Sequence, residues 1–486
     1  MISPSFAWGL LVLIAIGVPI VFALGAAPMA AFLLAGRENF LPVVAQRLYT
    51  GINQFPLLAI PLFILAGEIM NVGGITARLV RFANALVGHL RGGLAHVNIV
   101  SSIFFAGLSG SAVADASALG SMLIPAMEKQ NYSRRFAAAV TAASSVIGPI
   151  IPPSIIMVIY AYIMQVSVAG LFLAGIVPGV LTGIGLMIVT RVMADRLRLP
   201  PARTERDTDF VAPAIESWAA RAASAVTVTL LAMALLPDGW AAPWRAAIGL
   251  LAAASFWFAF HRLADVPFRE VSKGAILPLL TPVIILGGIL SGVFTPTEAA
   301  GAAVVYALLL STLVLRTLDP SQMQGLLMRT AVASAVILLA VGTASVFGWA
   351  ATISGIPNAL AGFVFSLTDD PLLLLLCINI LLLVVGMFLD AGPAILILGP
   401  ILAPLALKLG IDPIHFAIIM CVNLTIGLAT PPMGLILFVT STVSRERVEH
   451  IAREMLPFYA VHVAIIGLVT YVPALSLTLP RWFGFT

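Results

Sequence analysis

Charge is scarce in this sequence. Only 9% of its 486 residues are Asp, Glu, Lys or Arg, where a soluble domain carries about 25%. With 61% hydrophobic residues and a mean hydropathy of +1.10, a fold solvated mainly by water is excluded, and lipid is the solvent for most of the surface. Cysteine is nearly absent. Cys377 and Cys421 lie inside apolar runs without metal-ligand spacing, so they read as small core residues and say nothing about redox compartment. No basic stretch interleaved with aromatics occurs, which excludes a nucleic-acid surface. The net charge of +4 is what basic cytoplasmic loops require. The first apolar run, from Phe6, follows no basic segment and shows no small-residue cleavage pattern, so it is expected to remain in the mature chain.

What is present is one apolar run after another of roughly 20 residues, the length an α-helix needs to cross the hydrocarbon layer. The expected class is an all-α polytopic membrane protein in a lipid bilayer. The polar breaks form two groups. One is basic: Arg78, Arg81 and Arg91; Lys129, Arg134 and Arg135; the segment from Arg191; Arg262, Arg269 and Lys273; and the segment from Ser444. The other, after Ile163 and from Pro237, Ser291 and Ser366, is nearly free of Lys and Arg. The positive-inside rule makes the first group cytoplasmic and the second external. Arg37 and Arg47, in a loop expected outside, run against that rule.

Two stretches do not fit simple crossings. Residues 93–127 lie between two cytoplasmic breaks, are too short for two spans and are interrupted at "GLSGSAVADASALG"; residues 372–404 lie between two external breaks and are interrupted at "GMFLDAGPA". Each reads as a re-entrant hairpin, since irregular backbone at membrane depth is tolerated only where protein or a water-filled cavity surrounds it. A repeat pairs them. A shift of 279 positions places Gly120 on Gly399, Pro125 on Pro404, Gly148 on Gly427, Pro152 on Pro431, Pro153 on Pro432 and Pro178 on Pro457. Thus "SSVIGPIIPPS" from Ser144 has a twin in "NLTIGLATPPM" from Asn423. The first copy begins outside and the second inside, so the halves form an inverted repeat, a recurrent transporter design. The organisation read is 1–199, with a broken helix at about 134–165, and 274–486, with a second at about 413–441. The insertion at 200–273 matches neither copy and holds a probable extra pair of spans near 220–236 and 244–260.

A helix interrupted in the membrane exposes carbonyls on one side and N–H groups on the other. The N–H end suits a carboxylate; the loose carbonyls, with the hydroxyls of Ser144, Ser145, Thr425 and Thr430, suit a bare sodium ion. Pro152, Pro153, Pro431 and Pro432 prevent the breaks from closing into continuous helix. The hairpin tips add Ser109, Ser111, Ser117 and Asp115 on one side and Asp390 on the other. Carboxylates in a membrane are costly and point to ion binding, although an Asp ahead of a helix also caps it. Glu68 reads as a structural hydrogen-bonding partner, Glu298 as a helix-start cap, and His415 as an interfacial residue. Two other classes fare worse. "GLSG" with His462 as base would make an intramembrane serine protease, but the motif is short and His462 has no matched neighbour. A channel calls for a continuous polar lining rather than two occluding hairpins. The chain is therefore read as no enzyme, with no cofactor beyond coupling ions.

The segments "GLSGSAVADASALGSMLIPAM", "GPIIPPS", "GGILSGVFTPTEAA", "GMFLDAGPAILILGPILAPL" and "GLATPPMGL" resemble the large membrane subunit of tripartite ATP-independent periplasmic (TRAP) transporters across 1–199 and 274–486; the insertion departs from the family pattern. The resemblance implies an elevator-type, sodium-driven permease in the bacterial cytoplasmic (inner) membrane, with a separate small four-span membrane subunit and a periplasmic substrate-binding protein that delivers a small organic acid anion. It also implies a first sodium site at Ser109, Ser111, Ser145, Gly148 and Pro149, to which the reading of the tip adds Asp115. A second would comprise Gly386, Asp390, Gly392, Gly427 and Thr430. The anion would lie between the tips against Ser154 and Asn423, with Thr425 beside them. A stand-alone sodium/dicarboxylate symporter of similar fold is the alternative. Dicarboxylates, keto acids, sugar acids and sialic acids fit such a site equally.

Overall fold

The computed structural model describes residues 5–196, 199, 212–235, 248, 250–255, 260, 262, 266–355, 362 and 370–485. Helices α1 (Ser5–Ala15), α2 (Ile20–Leu34), α3 (Leu41–Ile52), α4 (Ala59–Val72) and α5 (Ile75–Val87) lead into a hairpin of α6 (Gly93–Ser109) and α7 (Ala112–Glu128). A broken helix follows, α8 (Arg134–Ser145) and α9 (Ile155–Met164), then the long α10 (Val168–Arg196). After α11 (Ala214–Leu235) come α12 (Val266–Leu290), α13 (Pro296–Leu309) and α14 (Pro320–Ile353). A second hairpin, α15 (Pro371–Phe388) and α16 (Ala391–Lys408), precedes a second broken helix, α17 (Pro413–Gly427) and α18 (Leu435–Ser444). The bent pair α19 (Val448–Glu454) and α20 (Leu456–Tyr471) and the terminal α21 (Ala474–Trp482) complete the chain. No strand occurs among the described residues. Seven of the described helices are long and apolar enough to cross a membrane, or eight with the bent pair. Ile184, Ile188 and Val192 stand exposed on one face of α10, four residues apart as a lipid-facing stripe requires.

The internal repeat is visible in the helix boundaries. First hairpin arms end at Ser109 and Phe388, second arms begin at Ala112 and Ala391, and the broken helices begin at Arg134 and Pro413, each pair 279 residues apart. Their restarts, Ile155 and Leu435, differ by 280. The scaffold helices follow the same register: α14 covers the positions that α3 and α4 cover together. The first half interrupts this element where Gln54 is extended and Pro56 supplies no N–H. The matching residues of α14, Val332 to Ile337, contain no proline, and the helix runs on for 34 residues.

Length alone permits α15 and α16 to be spans, since 18 residues rise about 27 Å. Their packing makes them a hairpin. Together α17 and α18 make one crossing, and the tip of the hairpin rests on the break between them at Gly427. Gly386 is the sixteenth residue of α15 and Gly427 the fifteenth of α17, so tip and break lie at matching depth, well inside the apolar layer. The same holds for the first hairpin, whose Gly110 rests against Pro153. Both Pro-Pro bonds, Pro152–Pro153 and Pro431–Pro432, are cis.

Around these units α4 packs on α13, α14 on α2, α3 and α4, and α12 on α5. Helix α11, in the first part of the inserted segment, packs on α12 and is tied to α5 by Arg78, whose guanidinium meets the buried Glu216 carboxylate at 2.7 and 3.3 Å. The second expected span of the insertion, near 244–260, lies largely outside the described residues.

Candidate functional site

The first break is built from residues that cannot or do not continue a helix. After α8, Ile147, Gly148 and Ile150 donate to carbonyls three residues back, at 3.0–3.1 Å. Pro149, Pro152 and Pro153 have no N–H to give. Ser154 then restarts the chain as N-cap of α9: its Oγ accepts from Met157 N at 3.3 Å and donates to the Pro149 carbonyl at 2.5 Å. The hydroxyl thus closes the loop across the prolines.

The first tip is seated on this break. Gly110 turns the chain with φ +60°, and a methyl group there would stand 2.5 Å from the Pro153 carbonyl, so only glycine fits in both conformation and space. Ser111 caps α7 by accepting from Ala114 N, while its own N–H donates to Ser109 Oγ at 3.3 Å. Asp115, in the first turn of α7, is fully buried. Its Oδ1 accepts the Ser109 hydroxyl, and its Oδ2 has no protein partner. That orphan oxygen points at Gly148, where a methyl would sit 2.4 Å from it. Ser109, Ser111, Asp115, Gly148, Pro149 and Ser154 are therefore brought together. Ser145 lies in the last turn of α8, and its hydroxyl donates back to Thr141 at 2.7 Å.

The second unit uses backbone where the first uses a carboxylate. A methyl at Gly427 would lie 2.6 Å from Gly386 Cα, so the two chains touch through their main chains. Gly434 N donates to Met387 O at 3.0 Å, fastening break to tip. Asp390 is exposed and caps α16 by accepting from Ala391 N at 2.8 Å; Gly392 faces Ile159 of α9. Thr430 donates to Ile426 O at 2.9 Å. Under the 279 shift Asp390 is the counterpart of Ser111, and Asp115 that of Ala394. The two acids are thus not symmetry mates, which explains their different surroundings.

The halves interlock. Helix α7 packs on α8 and on α18, while α16 packs on α17 and on α9. The contacts are mirrored at single residues: Gly120 faces Val443, and its twin Gly399 faces Met164, the twin of Val443. Ser144 and Asn423 are twins too, and both serve buried polar seams. Ser144 Oγ donates to Asn98 Oδ1 at 3.1 Å and accepts from Ser102, while Asn98 reaches Thr141 at 2.7 Å. Asn423 Nδ2 donates to Asn379 Oδ1 at 2.8 Å, and Asn379 reaches Thr470 at 3.0 Å. Thr425 donates to Cys421 O at 2.6 Å. Ser154, Asn423 and Thr425 are all buried in this conformation. Asn423 Oδ1 remains without a partner. Asn98, Thr141, Asn379 and Thr470 were not singled out from the sequence; the available signal was an asparagine inside an apolar run.

A cavity of about 330 Å³ opens beside the first tip, lined by Ser109, Ser111 and Ser117 from the hairpin, Glu68 and Asn71 from α4, and Ala333 from α14. Glu68 pairs with Arg329 of α14 at 2.9 Å. Its walls come from both the hairpin and the surrounding helices.

Glu298 forms a capping box with Thr295 at the start of α13. His415, the third residue of α17, is buried within the protein, where Ser476 Oγ at 2.7 Å and Thr470 O at 3.3 Å satisfy both ring nitrogens between α17 and the terminal helices. The Ser109 hydroxyl is committed to Asp115, and His462 Nε2 lies 3.3 Å from Ala143 O, so these two residues do not form a nucleophile–base pair.

Comparison with known proteins accords with this geometry. The family described as "Tripartite ATP-independent periplasmic transporter, DctM component" matches residues 7–475. The sialic acid TRAP transporter large permease protein SiaM of Vibrio cholerae is 37% identical, with 99% of each chain covered. The C4-dicarboxylate TRAP transporter large permease protein DctM of Pseudomonas aeruginosa is 37% identical over 91% of this chain and 90% of its own. The 2,3-diketo-L-gulonate TRAP transporter large permease protein YiaN of Escherichia coli is 35% identical, with 97% of each covered. Matched along nearly its whole length, this chain belongs to the DctM family and is the large permease subunit of a tripartite ATP-independent periplasmic transporter.

Proposed function

We propose that this permease imports a small organic acid anion across the bacterial cytoplasmic membrane by an elevator mechanism coupled to sodium, receiving its substrate from a periplasmic binding protein and working with a small four-span membrane subunit. The observation that carries the reading is the seating of each hairpin tip on its own helix break, with a buried oxygen of Asp115 left without a partner at the first. A buried carboxylate oxygen without a donor is costly, and a sodium ion held by it, by Ser109 and by carbonyls of the break would offset that cost. At the second unit the carbonyls of Gly427 and Leu428 each accept a hydrogen bond and keep a second lone pair, so that with Thr430 and Asp390 they would supply oxygen ligands of the same kind. N–H groups at the restarts of the broken helices would then meet the substrate carboxylate, with Ser154 and Asn423, whose own donors are engaged by Pro149 O and by Asn379 Oδ1 and Ile419 O, shaping the space around it. The relatives named above handle sialic acid, C4-dicarboxylates and 2,3-diketo-L-gulonate, all carboxylates, which supports the substrate class without choosing a member.

The interlocked hairpins and broken helices form one block, and the cavity between Ser111 and Ala333 lies where that block meets α4 and α14. Movement of the block past those helices would carry the site from one side to the other. The test is uptake of labelled succinate and N-acetylneuraminate into proteoliposomes holding this chain and its small subunit. Uptake that needs both an inward sodium gradient and the matching binding protein is expected. Uptake of free anion at full rate without a binding protein would instead favour a stand-alone symporter, and uptake indifferent to sodium would remove the coupling.

A further inference from the structure

Arg47, like Arg37, is a cation that the charge rule does not explain. It lies on α3, on the side of the membrane where the other loops are nearly free of Lys and Arg. Keeping a cation there opposes the orientation signal, so a compensating role is expected. Its guanidinium carbon stands 5.9 Å from the centre of the Trp349 ring, within cation–π range. Among the described residues its side chain forms no ion pair and no hydrogen bond. It faces a cavity of about 520 Å³ bounded by Tyr162, Gln165, Ser345, Trp349, Thr352 and Pro400. Among the described residues no acidic one lines that cavity. Ser345 and Thr352 donate their hydroxyl protons to their own helix, leaving Arg47 as the lining cation with a free donor fork. The volume suits a small molecule, and a planar guanidinium fork matches a carboxylate in two-point contact. The walls again belong to two bodies: Arg47 and Trp349 on the surrounding helices, Tyr162, Gln165 and Pro400 on the interlocked block.

We propose that this cavity is an outer entry subsite, in which Arg47, backed by Trp349, holds the carboxylate of an incoming organic acid before the acid reaches the hairpin tips. Its place in a transport path rests on the function proposed above; the binding itself does not. The cavity is distinct from the one at the first tip, which Glu68 and Arg329 flank.

Labelling tests it without any need for transport. Cys377, read from the sequence as a core residue, is exposed, while Cys421 is buried; the full chain with Cys377→Ser and Thr352→Cys, purified with a cysteine-free form of its small subunit and placed in phosphatidylcholine vesicles, therefore offers one accessible thiol on the cavity wall. Its reaction with a neutral maleimide is followed in succinate, 2-oxoglutarate or N-acetylneuraminate against chloride of equal ionic strength. The expected result is that at least one carboxylate slows labelling by about threefold or more, that Arg47→Gln abolishes this protection, and that Arg47→Lys keeps only part of it, because a point charge lacks the fork. Protection that survives in Arg47→Gln, protection by none of the three, or a thiol that does not label at all would overturn the proposal. Protection without sodium-driven uptake would leave this subsite standing and remove the transport reading instead.

Discussion

Gly148 and Asp115 define the chemistry at the scale of single residues. A side chain at position 148 would collide with the carboxylate, and overpacking of this kind costs about 1–3 kcal/mol. Gly148→Ala is therefore expected to abolish uptake while the protein still assembles, as judged by its elution with the small subunit; uptake at the parent rate would refute the contact. Arg78 provides a control of a different kind. Its partner Glu216 is 1% exposed, so Arg78→Ala strands a buried charge and should lower stability by about 3–5 kcal/mol, read as a fall in thermal midpoint. Asp115 was legible in the sequence as a costly intramembrane acid. What faces it was not, because the 33 positions that separate Asp115 from Gly148 conceal which glycine arrives opposite which oxygen. The pairing of Asp115 with Asp390 suggested by the two tips is likewise not a symmetry of the chain: the 279 shift equates Asp390 with the cap Ser111, and it takes the register rather than the residue type to see it.

At the scale of elements, the breakers told the story. Glycines and prolines recurring in register marked both hairpins and both broken helices, since each breaker acts on its own backbone and needs no knowledge of neighbours. The hairpin boundaries and the starts of the broken helices follow the same shift to within one residue, while α17 runs three residues further than α8 before it breaks. Polar side chains were harder to place, because direction around a helix decides their partner. Ser144 and Asn423 have hydroxyl and amide groups suited to ligands, yet both reach sideways to the first arm of their own hairpin. A double-mutant cycle with Asn379→Ala and Asn423→Ala should show a coupling of about 0.6–1.7 kcal/mol, the range for hydrogen bonds between membrane helices; additivity would mean that the seam is not formed. Glu298 was readable as a cap at the start of α13, and the structure adds Thr295 as the other half of a capping box. Thr295→Ala should cost about 1 kcal/mol without changing substrate affinity, as checked by thermal unfolding beside uptake.

At the scale of the whole molecule, the account has one block of hairpins and broken helices bearing on the helices that surround it. Composition, apolar run length and the distribution of Lys and Arg were sufficient for an all-α membrane protein with an inverted repeat. The boundary between block and surroundings was not legible, since it depends on which apolar faces meet and every face is apolar. Cysteines at Ala114 on α7 and Ala333 on α14, which line one cavity across that boundary, when bridged by a bis-methanethiosulfonate cross-linker should stop uptake and should release it on reduction; unchanged uptake in the cross-linked protein would argue against relative movement there. The most direct test of the central claim, that the first tip and its break hold a coupling ion, is the sodium dependence of uptake in Asp115→Asn. The account predicts that the half-saturating sodium concentration rises by about tenfold or more, the loss of roughly one charge-assisted contact, with binding-protein dependence intact. A sodium curve that coincides with that of the parent protein would contradict it.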